Sequence, residues 1–216
     1  MRKVCGVGFS DLDYNVHRKY TDSDGRVVVK VCPYYSRWRS MITRCYGGRA
    51  SAYDDVFVCE EWLYASNFVN WMKGQYWEGL ELDKDILAPG NKEYSPETAR
   101  FVPDYLNSLL VTSKAKRGRW PLGVYHYPKT VGMTGTLSKP FQAKLWVANK
   151  RKYLGMYSDP CSAHREWQIA KVNSIQLQLN RYRNEVFYLE EIDRSLSDRA
   201  EEIRKDYLAG RETLTV

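Results

Sequence analysis

The stretch Leu82–Pro103, LDKDILAPGNKEYSPETARFVP, decides how this chain is organised. Together with Leu80 and Glu81 its first residues read as a short strand, Leu80–Ile86, because apolar and charged positions alternate. A turn follows at Ala88-Pro-Gly-Asn91, and Ser95-Pro-Glu-Thr98 starts a further helix, with Ser95 as N-cap and Pro96 as its first residue. A strand–loop–helix unit this small brings Asp83 near Thr98. Regular alternation places Glu81, Asp83 and Asp85 on one face of the strand and Lys84 on the other, which makes a carboxylate face.

Working outward, Arg26–Val31 (RVVVKV) follows the turn signal Asp22-Ser-Asp-Gly25 and is expected as the return strand of a hairpin. Pro33 opens a helix with Tyr34, Trp38, Met41, Ile42 and Cys45 at helical spacing, stopped by Gly47-Gly48. A second helix has Trp62, Ala65, Phe68, Val69 and Met72 on one side and ends at Gly74. Downstream, three strands precede a helix: Gly123–Tyr127, Phe141–Val147 and Lys152–Tyr157, with a loop at Thr130–Ser138. Pro160 then opens a long helix that runs through Ile175 and on to Tyr207. Its seam of Tyr182, Val186, Leu189, Ile192, Leu196 and Ile203 is expected to dock internally, with self-association through the C-terminal helix left open. The class is α+β. Residues 1–111 form one module, 112–122 a basic linker, 123–180 a sheet-and-helix domain, and 181–216 a C-terminal helix.

With 216 residues, 44% of them hydrophobic, the chain has room for one or two domains with buried cores. No apolar run approaches the roughly 18 residues of a membrane span, and Asp11 interrupts the start before a signal segment completes, so a cytoplasmic protein is expected. The five cysteines contain no C-x-x-C pair, which makes a disulfide framework improbable. Cys32, Cys45 and Cys59, about a dozen residues apart, read as buried thiols in preference to zinc ligands.

The net charge of +7 is unevenly spread. From Pro121 to Asn180 there are 8 basic and 2 acidic residues, whereas Arg181–Val216 has 7 and 9. Between Thr112 and Lys152, Lys114, Lys116, Arg117, Arg119, Lys129, Lys139, Lys144, Lys150, Arg151 and Lys152 occur without one Asp or Glu. Aromatic Trp120, Tyr125, Tyr127, Phe141 and Trp146 interleave with them, a pattern suited to nucleic acid. On the middle strand, alternation sets Gln142, Lys144 and Trp146 opposite Ala143, Leu145 and Val147. A three-stranded sheet is narrow enough for the major groove, where Gln142 suits adenine and Lys144 guanine; contact with phosphates alone is the alternative.

Leu82–Pro103 resembles a variant of the HNH, or ββα-metal, nuclease module common in phage homing endonucleases. Tyr35, Trp38, Met41 and Arg44-Cys45-Tyr46, followed by Trp62, Phe68 and Trp71, look like the helical lead-in of those proteins. Gly123–Val172 is similar to the Apetala-type DNA-binding domain that frequently follows an HNH module. The resemblance implies a helical lead-in with a degenerate ββα-metal module, then a three-stranded antiparallel sheet packed on a helix. It also implies a sequence-directed endonuclease acting on double-stranded DNA with a divalent cation, Mg²⁺, in an infected bacterial cell. Within that motif Asp83 matches the metal-binding aspartate, Asn91 the loop asparagine, Lys84 stands where the base histidine belongs, and Thr98 replaces the helix metal ligand. The expected metal set is Asp83, Asp85 and Thr98, with Glu81 as a further carboxylate.

Hydrolysing a phosphodiester needs a base for water and a cation for the leaving oxygen. Asp83 and Asp85 flank Lys84 and hold its ammonium charged, which makes it a poor base and leaves it the part of a clamp on the scissile phosphate. Of the histidines, His126 and His164 lie outside the nuclease half, and His17 is a remote candidate base. Two readings follow: a metal-dependent endonuclease, or a nuclease-inactive DNA-binding or host-protein-binding factor on the same scaffold. RNA binding is a third, without a specific motif.

Overall fold

The computed structural model describes residues 2–48, 55–111, 118–127, 137–147 and 150–216. The chain divides into two compact units. Residues up to Asp85 together with Gly90–Phe101 form the first, and Ile86–Pro89 with Val102–Val216 the second.

In the first unit, strands β1 (Arg2–Val4) and β2 (Gly8–Ser10) pair, and β3 (His17–Thr21) forms the expected hairpin with β4 (Val27–Val31). Helix α1 (Pro33–Tyr46) buries Tyr35, Trp38, Met41 and Ile42, the residues its spacing put on one face. After β5 (Phe57–Val58) and a tight turn at Glu60–Leu63, helix α2 (Ala65–Lys73) buries Ala65, Phe68, Val69 and Met72. A distant residue caps α2, Asp11, whose carboxylate accepts from the Ser66 amide at 2.9 Å. Trp62 meets Phe68 edge-on at 5.0 Å, and the Trp38 indole donates to the Trp62 carbonyl at 2.8 Å.

Strand β6 (Glu81–Asp83) is shorter than expected and pairs with β8 (Arg100–Val102), while β7 (Glu93–Tyr94) runs parallel to β5. The helix expected from Ser95 is absent: Ser95–Thr98 makes one turn, closed by the Ala99 amide donating to the Ser95 carbonyl at 2.9 Å, and β8 follows. Thr98 Oγ1 donates to the Glu93 carbonyl at 2.8 Å and accepts from the Ser95 amide at 3.1 Å, which ties the turn back to β7 and ends the helical path.

The second unit begins its ordered core at α3 (Asp104–Asn107). Strands β9 (Val124–His126), β10 (Phe141–Val147) and β11 (Lys150–Tyr157) form an antiparallel sheet in the order β11-β10-β9. Its inner side, with Val124, Ala143 and Leu145, packs on Ala163 and Trp167 of helix α4 (Pro160–Tyr182). Asp159 caps α4 through the Ser162 amide at 2.8 Å.

One long C-terminal helix was expected; the chain breaks at 183–189 and returns as α5 (Glu190–Leu208). Tyr182 Oη accepts from the Leu189 amide at 2.9 Å and Arg183 pairs with Asp193 at 2.6 Å, so the bend is held by side chains without Gly or Pro. The seam then folds on itself, with Ile192, Leu196 and Ile203 buried against Ile175, Leu179 and Tyr182.

Lys171 lies inside this core at 2% exposure, its ammonium donating to the Leu109 carbonyl. Burial, helped by the charge of Arg199, pushes its amine down to about 8 from 10.5. Below pH 8 the folded state must carry a charge that the unfolded chain keeps in water, so this group's contribution to stability rises between about pH 8 and 10.5. Lys171→Met should therefore raise stability at neutral pH by about 2 kcal/mol, net of the lost hydrogen bond, and flatten that rise. Chemical denaturation of both proteins at pH 7 and 10 checks it; equal pH dependence in the two contradicts it.

Candidate nucleic-acid interface

The outer face of the three-stranded sheet is set by β10. Alternation buries Ala143 and Leu145 and turns Gln142, Lys144 and Trp146 the other way, as expected. Directly opposite residues of an antiparallel pair share a face, so Tyr125 on β9 and Met156 on β11 flank Gln142. Lys144 lies 5.3 Å from the Tyr125 ring and 5.1 Å from the Tyr127 ring, and it donates to the Tyr127 hydroxyl at 3.2 Å. The two tyrosines hold the ammonium out over the sheet.

Tyr153 joins this face because the register shifts between Ala143 and Lys144. Gly155 sits opposite Ala143 and Tyr153 opposite Lys144, so Leu154 is the extra residue of a bulge and packs inward. Gly155 has φ 141°, and a Cβ there would come within 2.9 Å of the Tyr157 hydroxyl. Beyond the bulge Arg151 faces Trp146, its guanidinium 5.7 Å from the ring. Lys150 and Lys152 are exposed but stand opposite Val147 and Leu145, on the side of the sheet that α4 covers further along. Arg119 lies over Trp120 at 4.7 Å, and Trp120 packs against Phe141 and His126.

Gln142, Lys144, Trp146 and Arg151 thus share one face, to which Tyr125, Tyr127 and Tyr153 add stacking surface. Lys114, Lys116 and Arg117 lie outside the described residues. Tyr125 and Tyr127 were legible as an i, i+2 pair; Tyr153 was hidden by the bulge, whose only sequence sign is Gly155.

In the first unit, Lys84 is buried at 6% exposure. Its ammonium donates to both carboxylate oxygens of Asp85 at 2.8 Å and to the Asn91 carbonyl at 2.6 Å. Asn91 returns the contact, its side-chain amide donating to the Lys84 carbonyl at 3.0 Å and the Glu93 carbonyl at 2.6 Å. The strand ends here, where Asp83 Oδ1 accepts from the Asp85 amide at 2.8 Å, while burial still alternates, with Leu82, Lys84 and Ile86 buried and Glu81, Asp83 and Asp85 more exposed. The set Asp83, Asp85 and Thr98 does not suit a divalent cation. Asp85 is neutralised by Lys84, and Thr98 Oγ1 is engaged with Glu93 and Ser95. Among the described residues no three His, Cys, Asp or Glu side chains lie close enough together to hold a metal ion.

The histidines are placed by packing. His164 is buried, and since its Nε2 accepts from the Thr213 amide at 3.0 Å, its Nδ1 is the protonated nitrogen and donates to the Leu122 carbonyl at 2.9 Å. His126 packs between Trp120 and Phe141, and His17 sits on the exposed hairpin. Cys32, Cys45 and Cys59, expected buried, are half-buried, and burial raises the thiol of Cys45 to about 11 and that of Cys59 above its ordinary value; Cys5 and Cys161 are exposed. No helix of the described residues is long and apolar enough to cross a membrane. Compared with known protein families, characterised proteins and solved structures, the chain matches none.

Proposed function

We propose that this chain is a double-stranded DNA-binding factor that lays the outer face of its three-stranded sheet against the duplex. The carrying observation is the composite face on which Lys144 and Arg151 are held over tyrosine and tryptophan rings beside Gln142. Fixed cations supply the phosphate contacts that dominate affinity, and side chains of a sheet reach base edges in a B-form major groove. The deep, narrow major groove of an A-form helix does not admit such a sheet, which favours DNA over duplex RNA.

The Asp83–Thr98 loop is, on this reading, a structural lock and not a hydrolytic centre. A lysine bound to a carboxylate and a carbonyl neither deprotonates water nor reaches a scissile phosphate. The chain therefore corresponds to the nuclease-inactive form of the resemblance, with no step assigned to Mg²⁺.

Replacing Lys144 and Arg151 together by Ala should weaken duplex binding about 10- to 100-fold and reduce the slope of log K against log salt by about 1.8, since each phosphate contact contributes about 0.9. Fluorescence anisotropy across a salt series measures both. Wild-type affinity with an unchanged slope removes the sheet from the interface.

A further inference from the structure

The hairpin β3–β4 plays no part in that interface. It is fully paired, His17 with Val31, Arg18 with Lys30, Lys19 with Val29, Tyr20 with Val28 and Thr21 with Val27, yet every residue of β3 is exposed. A two-stranded hairpin alone is at best marginally stable in water. This one is anchored at both ends. At its base the Cys32 amide donates to the Val16 carbonyl at 2.7 Å, and the His17 ring meets Tyr35 of α1 edge-on at 6.2 Å. At its tip Asp22 Oδ1 accepts from the amides of Asp24 and Arg26 at 3.0 and 2.9 Å, while Gly25, at φ 78°, closes the turn. The result is an ordered ribbon projecting from the unit.

Two features of that ribbon are unfavourable in isolation. Arg18 and Lys30 stand directly opposite one another, and like charges in that position destabilise a strand pair. Among the described residues neither they nor Lys19 have an ion-pair partner, while the tip acid Asp24 is taken by Arg26. On the other face Val27 and Val29 are 70% and 47% exposed. Both penalties are relieved by one kind of partner, a polyanion that also offers apolar contact at a groove floor. A ribbon with strands about 4.8 Å apart fits a major groove roughly 12 Å wide.

We propose that β3–β4 is a second DNA-contacting arm, which enters the major groove and holds backbone phosphates with Arg18 and Lys30. The arm rests on the reading that the chain binds duplex DNA, and it adds a contact from the unit that does not contain the sheet.

The test uses the full chain and a mixed-sequence duplex, with anisotropy read between about 50 and 200 mM salt. Arg18→Glu separates folding from binding, because it replaces a like-charge pair with a cross-strand ion pair to Lys30. Its melting temperature should not fall, while duplex affinity drops about tenfold or more and the salt slope decreases. The double variant Arg18→Ala with Lys30→Ala should lose about 1.8 from the slope. If both variants bind as wild type while Lys144→Ala with Arg151→Ala does not, the arm is overturned and the sheet interface stands. If the arm variants lose affinity and the sheet variant does not, the arm stands and the sheet reading falls. A wild-type chain that fails to bind duplex DNA overturns both.

Discussion

Gly123→Ala should destabilise the second unit by about 4 kcal/mol. Gly123 opens the first strand of the sheet at φ 77°, in the left-handed region where a Cβ costs about 1 kcal/mol or more. The added methyl carbon would also fall 2.0 Å from Cδ1 and 2.2 Å from Cγ of Trp167. That indole cannot move aside cheaply: it packs with Leu122 and Leu145 and stacks on His164 at 5.4 Å. Relief requires shifting either α4 or the strand, and the Gly123 carbonyl accepts from the Lys144 amide at 2.8 Å, so displacement reaches Lys144, the residue proposed to contact DNA. Overpacking of this kind costs typically 1–3 kcal/mol beyond the backbone term. Urea denaturation followed by tryptophan fluorescence measures the loss, and a decrease below about 1 kcal/mol contradicts the packing described.

Lys84→Ala should cost about 2–3 kcal/mol in the first unit. The substitution leaves the Asp85 carboxylate and the Asn91 carbonyl without the ammonium that joins them. Breaking a fully buried ion pair costs up to about 5 kcal/mol, but the Asp85 side chain is 38% exposed and water takes over part of the contact. Lys84→Arg should not restore stability, because the planar guanidinium does not fit a slot built for a single nitrogen between a carboxylate and a carbonyl. A phosphate clamp behaves differently: its alanine variant folds normally and loses only DNA interactions. Thermal denaturation of the two variants distinguishes the cases, and wild-type stability in Lys84→Ala contradicts the lock.

Much of this architecture was legible in the residues. Apolar spacing placed α1 and α2, the Asp22–Gly25 turn placed the hairpin, and alternation along β10 placed Gln142, Lys144 and Trp146. The burial of Lys84 was legible too, since strand parity sets it with Leu80, Leu82 and Ile86, all buried, although its charge argued for the surface. The turn at Ser95 was not: an N-cap and a following proline describe only the first turn of a helix, and Thr98 spends its hydroxyl on β7 instead of letting a second turn form. Nor was the break at 183–189, which depends on Tyr182 meeting Leu189 and Arg183 meeting Asp193 after the chain has already turned. The bulge that brings Tyr153 beside Lys144 likewise depends on pairing with β10, which no single strand specifies.

The most direct test combines binding and hydrolysis in one tube: the wild-type chain on supercoiled plasmid with Mg²⁺ saturating, resolved by electrophoresis with and without protein removal. The account predicts a retarded complex that returns entirely to the supercoiled form once the protein is stripped. Conversion to open-circular DNA that disappears in Asp83→Ala would contradict it and place a working metal centre at the Asp83–Thr98 loop.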